Sequence, residues 1–173
     1  PLDVHLMISN PGQYVRQFAE AGADVLTIHT EAVEQPGPVL EEIRKHDVAA
    51  GLAINPPSPI GEIEHLLELC YLVLVMSVMP GFGGQEFDSS ALDKLRVLRT
   101  RLPEEVLLEV DGGVNSDTIS DCREAGAQLL VAGLLAELIV SRTSDAYRPY
   151  SVAQRIGESR EFASSSPAAS EDA

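Results

Sequence analysis

Six short apolar runs, each followed by a stretch with helical or turn-like patterning, constrain this chain more than any other feature. They are Pro1–Met7, Val25–His29, Ala49–Ile54, Leu72–Met76, Val106–Asp111 and Leu129–Ala132. Strands that alternate with helices pair in parallel, because the crossover between parallel neighbours needs about a dozen residues and a helix fills that length. An internal echo supports repeated units: Glu20-Ala21-Gly22-Ala23-Asp24-Val25-Leu26 resembles Glu124-Ala125-Gly126-Ala127-Gln128-Leu129-Leu130. Both copies read as a helix end, a glycine stop and a strand start.

The punctuation between the runs is equally regular. Asn10-Pro11 predicts a helix start, with Asn10 as N-cap and Pro11 at the first helical position. Tyr14, Val15, Phe18 and Ala21 give that helix its apolar stripe, and Gly22 ends it. A loop with Pro36, Gly37 and Pro38 leads into a helix over Val39–His46. Asn55-Pro56-Pro57-Ser58-Pro59 is a rigid turn, since its three prolines forbid a helix or a ladder there. Helices follow over Ile60–Leu69 and Ser90–Leu102, the second with a stripe of Leu92, Leu95, Val97 and Leu98. Asn115 or Ser116 caps a helix that runs to Ala125. Leu135–Val140 has helical character, and residues 157–173 are Ser-, Ala- and Glu-rich, the composition of a disordered tail.

Side-chain parity separates two ways of closing such a sheet. An open, doubly wound sheet is covered on both faces and carries near-continuous apolar strands. Here one parity is aliphatic, while the other is small or mixed and turns polar at the strands' C-terminal ends, at His5, His29, Asn55 and Asp111. That pattern suits a TIM (β/α)8 barrel, whose chemistry sits at the C-terminal mouth. Such a barrel has eight units in about 250 residues. The expectation is therefore an incomplete barrel domain over residues 1–156 with about six units, its first two strands lying before Pro1.

The formal net charge of −15 disfavours nucleic acid or an anionic membrane as a partner. It leaves a small phosphorylated ligand open, because backbone amides bind phosphate without Lys or Arg. The longest apolar run, Leu69–Val78, is too short to span a bilayer. Only Cys70 and Cys122 occur, without metal-type spacing, so two reduced, buried thiols are expected.

Chemistry concentrates at three strand ends. Met76-Ser77-Val78-Met79-Pro80-Gly81-Phe82-Gly83-Gly84-Gln85 follows the fourth strand, and its glycines let backbone N–H groups crowd around an anion. His5 shares its face with Asp3 and Met7, while Asp111 ends the fifth strand ahead of Gly112 and Gly113. A carboxylate at a barrel mouth is costly to bury unpaired. A cation shared with His5 satisfies both groups, and nitrogen and carboxylate donors suit zinc, iron or manganese better than calcium. Two donors alone leave that metal open. Met7 and Met76 read equally well as core filling.

Asp3-Val4-His5-Leu6-Met7, the loop from Met76 to Gln85, Glu109-Val110-Asp111-Gly112-Gly113, Val131-Ala132-Gly133 and the Asn55-Pro56 turn together resemble the ribulose-phosphate 3-epimerase family over Pro1–Gly133. The resemblance implies a barrel of the ribulose-phosphate-binding type. It implies an isomerase of carbohydrate metabolism, in the pentose phosphate pathway, that interconverts D-ribulose 5-phosphate and D-xylulose 5-phosphate through an enediolate. It implies one divalent metal ion and no organic cofactor. In that family two His and two Asp hold the metal, and two aspartates move the C3 proton on opposite faces of the sugar. His5 and Asp111 match one metal histidine and one acid/base aspartate that is also a ligand; the other pair is expected on a strand before Pro1. His5, Met7 and Met76 match residues around the reacting carbons. Gly81, Phe82, Gly83 and Gly84, with Gly112, Gly113 and Gly133 opposite, match the phosphate site. Leu134 departs from the family, which usually has serine there, and removes a hydroxyl donor. The expected partner is a small sugar phosphate, in the cytoplasm with an organelle not excluded, and with a homo-oligomer open. The alternative is an inactive barrel remnant that binds a sugar phosphate or a protein partner.

Overall fold

A computed structural model describes residues 1–81 and 84–132 of the chain. Six strands, β1 (Asp3–Leu6), β2 (Val25–His29), β3 (Ala49–Ile54), β4 (Leu72–Met76), β5 (Leu107–Asp111) and β6 (Leu129–Val131), form one sheet in sequence order. Every neighbouring pair is parallel. Sequential order decides the closure. Right-handed crossovers between successive neighbours put every connection on the same side of the sheet, which leaves the opposite face to turn inward. A doubly wound sheet reverses its strand order to cover both faces, and no reversal occurs among the six described strands. The fold is a partial (β/α) barrel.

The two faces differ as parity predicts. Leu26, Ile28, Leu52, Ile54, Val73, Val75, Leu108 and Val110 pack outward against the helices in the main apolar core. Ala53, Leu72, Leu74, Met76 and Leu107 form a second, smaller cluster on the inner face. The inner face also carries Thr27, His29 and Glu109, all buried polar residues. Gly51 is inner as well, and a Cβ there would fall 2.1 Å from Thr27 Oγ1, so glycine makes the space that Thr27 fills.

The helices are α1 (Val15–Glu20), α2 (Pro36–Lys45), α3 (Ser90–Arg101) and α4 (Ile119–Glu124). Several details differ from the sequence expectations. Asn10 adopts left-handed backbone (φ 54°) and makes no side-chain cap; the chain first forms a 3₁₀ turn over Pro11–Gln13, and Tyr14 and Ala21 stay exposed. Helix α2 begins three residues earlier than periodicity suggests. Pro36 and Pro38 fall in its first turn, where no N–H has an intrahelical partner, so proline costs little there. The segment Ile60–Leu69 is 3₁₀ rather than α. Its apolar residues explain this: Ile60, Ile63, Leu66 and Leu69 recur every three residues, the repeat that stacks side chains on a 3₁₀ helix, and all four pack on the core. On α3 the buried stripe is Ala91, Leu95 and Leu98, with Val97 turned outward. Asn115 does serve the start of α4, accepting from the Asp117 and Thr118 amides at 2.8 and 3.3 Å. Cys70 and Cys122 are both buried and free. The expected helix over Leu135–Val140, the end of the barrel domain at residue 156 and the tail over 157–173 lie outside the described residues.

Candidate active site

The strands' C-terminal ends bring together residues distant in the sequence. His5 Nδ1 on β1 lies 3.6 Å from Asp111 Oδ2 on β5, and the two side chains are 18% and 21% exposed. In a flat sheet, strands four places apart would stand about 19 Å from each other, at about 4.8 Å per step. The contact therefore depends on the rolled sheet, which aims side chains from both walls at a common centre. Asp111 is in register with Met76 on β4, and His5 with Thr27 on β2. Met76 is 1% exposed within the inner apolar cluster, so it closes that side of the mouth with a buried apolar wall next to Asp111. Met7 stands at the rim and is 47% exposed.

The electrostatics are lopsided toward negative charge. Glu109 faces inward two residues before Asp111 and is 7% exposed. Burial first, then the charges of Asp3 and Asp111, push its carboxyl up to about 8. At neutral pH it is mostly protonated, which is how the interior tolerates it.

A second group extends the site toward β2 and β3. His5 Nε2 and His29 Nε2 are 2.8 Å apart, with ring centroids 4.9 Å apart and ring planes 25° apart, so the two imidazoles meet edge to edge. His29 Nδ1 faces Glu31 Oε2 at 3.4 Å. Glu31 Oε1 accepts the Asn55 amide at 2.8 Å and the Ser58 hydroxyl. Although burial works against the charged carboxylate, these donors together hold Glu31 down to about 2. The Lys94 ammonium on α3 then ties the turn beneath, donating to the carbonyls of Asn55, Pro56 and Ser58 at 2.7, 2.7 and 2.6 Å. Sequence reasoning singled out neither Glu31 nor Lys94 and gave His29 no role. The available signal was spacing: His29 has the inward parity of Thr27, and Glu31 follows at the same parity where the strand ends.

An open cleft of about 390 Å³ lies beside these groups, lined by Met7, His29, Glu31, Asn55, Pro80 and Gly81 among others. His29 belongs both to the cleft wall and to the hydrogen bond with His5. Gly112 and Gly113 pack against the two ends of the glycine-rich loop. A Cβ on Gly112 would fall 2.6 Å from Val78 Cγ2, and one on Gly113 2.5 Å from Phe87 N; both residues have positive φ, 111° and 59°. The Asp-Gly-Gly turn thus bears directly on the loop, as a site shared between them requires. Phe82, Gly83, Gly133 and Leu134 lie outside the described residues. Among the described residues no group of three His, Cys, Asp or Glu side chains is placed to hold a metal ion, and no helix is long and apolar enough to cross a membrane.

Comparison with known proteins decides the family. The model of the ribulose-phosphate 3 epimerase family matches residues 1–136. The chain belongs to that family. Ribulose-phosphate 3-epimerase of Bacillus subtilis (strain 168) is 47% identical over 137 residues, covering 77% of this chain and 63% of the relative. The enzyme of Escherichia coli (strain K12) is 43% identical over 136 residues, covering 77% of this chain and 60% of the relative. The chain thus spans about three-fifths of the length of these epimerases. Among solved structures, a mutant tryptophan synthase alpha-subunit from Pyrococcus furiosus superposes with a TM-score of 0.60 at 16% identity, covering 92% of this chain and 66% of that one. That likeness shows the barrel fold alone.

Proposed function

We propose that this epimerase-family chain carries the C3 proton-transfer half of a ribulose-phosphate 3-epimerase site, acting on D-ribulose 5-phosphate and D-xylulose 5-phosphate. The observation that carries the reading is the approach of His5 and Asp111 across the rolled sheet, at 3.6 Å, beside a glycine-bounded loop. Asp111 is the acid/base group: a partly exposed carboxylate at the mouth takes the C3 proton of one epimer from its own face of the sugar, and the other epimer forms when a proton is delivered to the opposite face. Its opposite number belongs on the other face of the sugar. The loop around Gly81 and Gly84, braced by Gly112 and Gly113, receives the phosphate through backbone N–H groups; Phe82, Gly83 and Gly133 belong to the same site by sequence. Met7 at the rim and Met76 beside Asp111 bound the reacting carbons with apolar surface.

The donor set fits a divalent cation in part. His5 Nδ1 and Asp111 Oδ2 are nitrogen and carboxylate donors at a spacing that suits shared coordination, in an interior where the charges of Asp3 and Asp111 also push up the Glu109 carboxyl. Zinc, iron or manganese bound there supplies Lewis-acid stabilisation of the negative charge that develops on the sugar oxygens. No organic cofactor enters this scheme. Two free, buried thiols suit a reducing compartment such as the cytoplasm.

The convergence of only two donors among the described residues favours a second reading, an inactive barrel remnant that binds sugar phosphate or a protein partner. Exchange of the substrate's C3 proton with solvent deuterium separates the two. A version extended by two βα units to a closed barrel should exchange, and Asp111→Asn should abolish the exchange; full turnover in that variant refutes the assignment. The 173-residue chain alone should not turn over, and sugar-phosphate binding without metal or turnover there supports the remnant.

A further inference from the structure

We propose that Glu31 and His29 are positioning residues that fix the tautomer of His5, leaving its Nδ1 lone pair bare beside Asp111. This rests on the reading of His5 as a cation ligand and explains how that ligand is made ready.

The inference begins with the 2.8 Å separation of His5 Nε2 and His29 Nε2. Two neutral imidazoles at that distance share one proton, so one nitrogen donates and the other accepts. Geometry between the rings does not choose; the far side of His29 does. His29 is buried, 4% exposed, and its Nδ1 faces Glu31 Oε2 at 3.4 Å, with no hydrogen-bond partner of standard geometry among the described residues. Glu31 stays ionised, because its other oxygen takes the Asn55 amide and the Ser58 hydroxyl. An ionised carboxylate only accepts. A bare Nδ1 lone pair against it is repulsive, whereas an Nδ1–H is attracted even at this long contact. His29 therefore carries its proton on Nδ1 and accepts at Nε2.

The consequence passes to His5. Its Nε2 donates to His29, so its Nδ1 is unprotonated. That nitrogen is the one 3.6 Å from Asp111 Oδ2, and the pull of this carboxylate on an Nδ1–H is weaker than that of Glu31 on His29, because the contact is longer and the His5 ring is more open to water, 18% exposed against 5%. Two bare donors then face each other, at roughly the spacing of neighbouring ligands bound about 2.0–2.2 Å from one cation. With the opposite tautomer, His5 would present an N–H to that position and bind no cation through Nδ1. Holding a ligand histidine by its second nitrogen is a general device, with a typical effect on metal affinity of about 10–100-fold. Here the holder is another histidine, set by a carboxylate fixed in turn by the Asn55–Ser58 turn and Lys94.

The test is long-range ¹H–¹⁵N correlation on the ¹⁵N-histidine-labelled, cation-free 173-residue chain, about two pH units above the ordinary histidine pKa. The expected pattern is Nε2–H for His5 and Nδ1–H for His29. Nδ1–H on His5 overturns the proposal and needs no variant. In Glu31→Gln the side-chain amide can donate to His29 Nδ1, so both tautomers should reverse and zinc affinity should fall about 10–100-fold with circular dichroism unchanged. Unchanged tautomers in that folded variant overturn the proposal. The two readings fail separately. If the wild-type chain takes up no zinc but shows the expected tautomers, the positioning holds and the ligand role of His5 falls. If zinc binds through His5 and the free ring carries Nδ1–H, the ligand role holds and the positioning falls.

Discussion

Replacing Lys94 by Met tests whether the turn after β3 is held by a single ammonium. Its Nζ donates to three carbonyls within 2.6–2.7 Å, of Asn55, Pro56 and Ser58. Methionine keeps much of the stem's packing and removes the three donors. A hydrogen bond to a charged group is worth about 1.5–3 kcal/mol when well buried. Lys94 is only partly buried, and burial lowers its pKa while the nearby charges of Glu31 and Asp88 oppose that effect. The unfolded ammonium also regains water, so the sum is discounted to a net loss of about 2–3 kcal/mol. The three prolines cannot replace the missing donors, because they carry no N–H. Urea unfolding of Lys94→Met should give that loss, and hydrogen exchange at the Asn55 amide should accelerate as the turn loosens from Glu31. Lys94→Arg should recover less than half, since a planar fork cannot converge on three carbonyls as an ammonium does. A loss below about 0.5 kcal/mol, with unchanged exchange at Asn55, refutes the claim that this cation organises the turn.

Two further substitutions probe the neighbouring groups. Glu31 is held down to about 2 from an ordinary 4.5, so its contribution to stability is complete above pH 4.5 and is lost as the pH falls toward 2. Glu31→Gln should cost about 1–2 kcal/mol at pH 7 after allowance for its partial exposure, and the gap to wild type should close on acidification; a gap independent of pH contradicts this. Gly113→Ala forces a side chain onto a left-handed residue and toward the Phe87 amide, so a loss of at least about 2 kcal/mol in urea unfolding is expected. Wild-type stability in that variant would show that the Asp-Gly-Gly turn does not bear on the loop.

The strand positions and the two faces were legible in the sequence because both are local properties. Alternation in Val106–Asp111 separates Leu107, Glu109 and Asp111 from Val106, Leu108 and Val110 without any partner being known. The same holds for glycine stops such as Gly22 and Gly126, whose positive φ is a property of one residue. Helix type was less legible. Ile60–Leu69 reads as a helix on either period, and the three-residue repeat that selects 3₁₀ packing is conspicuous only once Ile60, Ile63, Leu66 and Leu69 are seen on the core. Proline likewise misled at α2, since it marks both a loop and a first helical turn.

The site was legible in its residues and not in its connections. His5 and Asp111 stand out because each is polar on an inward parity at a strand end, and curvature alone turns that parity into a 3.6 Å approach. His29 has the same credentials, yet its partners come from three other segments: β1 for one ring nitrogen, the 3₁₀ turn Thr30–Ala32 for the other, and the Asn55–Ser58 turn for the carboxylate that faces it. No spacing in the sequence encodes that convergence, because it depends on how far β1, β2 and β3 are staggered and where each loop leaves the sheet. The energetic logic explains why the group forms. A buried imidazole needs both nitrogens accounted for, a buried carboxylate needs donors, and a turn with three prolines has carbonyls to spare and few N–H groups. Lys94 satisfies the carbonyls, the Asn55 amide and Ser58 hydroxyl satisfy Glu31, and Glu31 orders His29, so that a requirement met at the base of the turn reaches the His5 ring at the centre of the mouth.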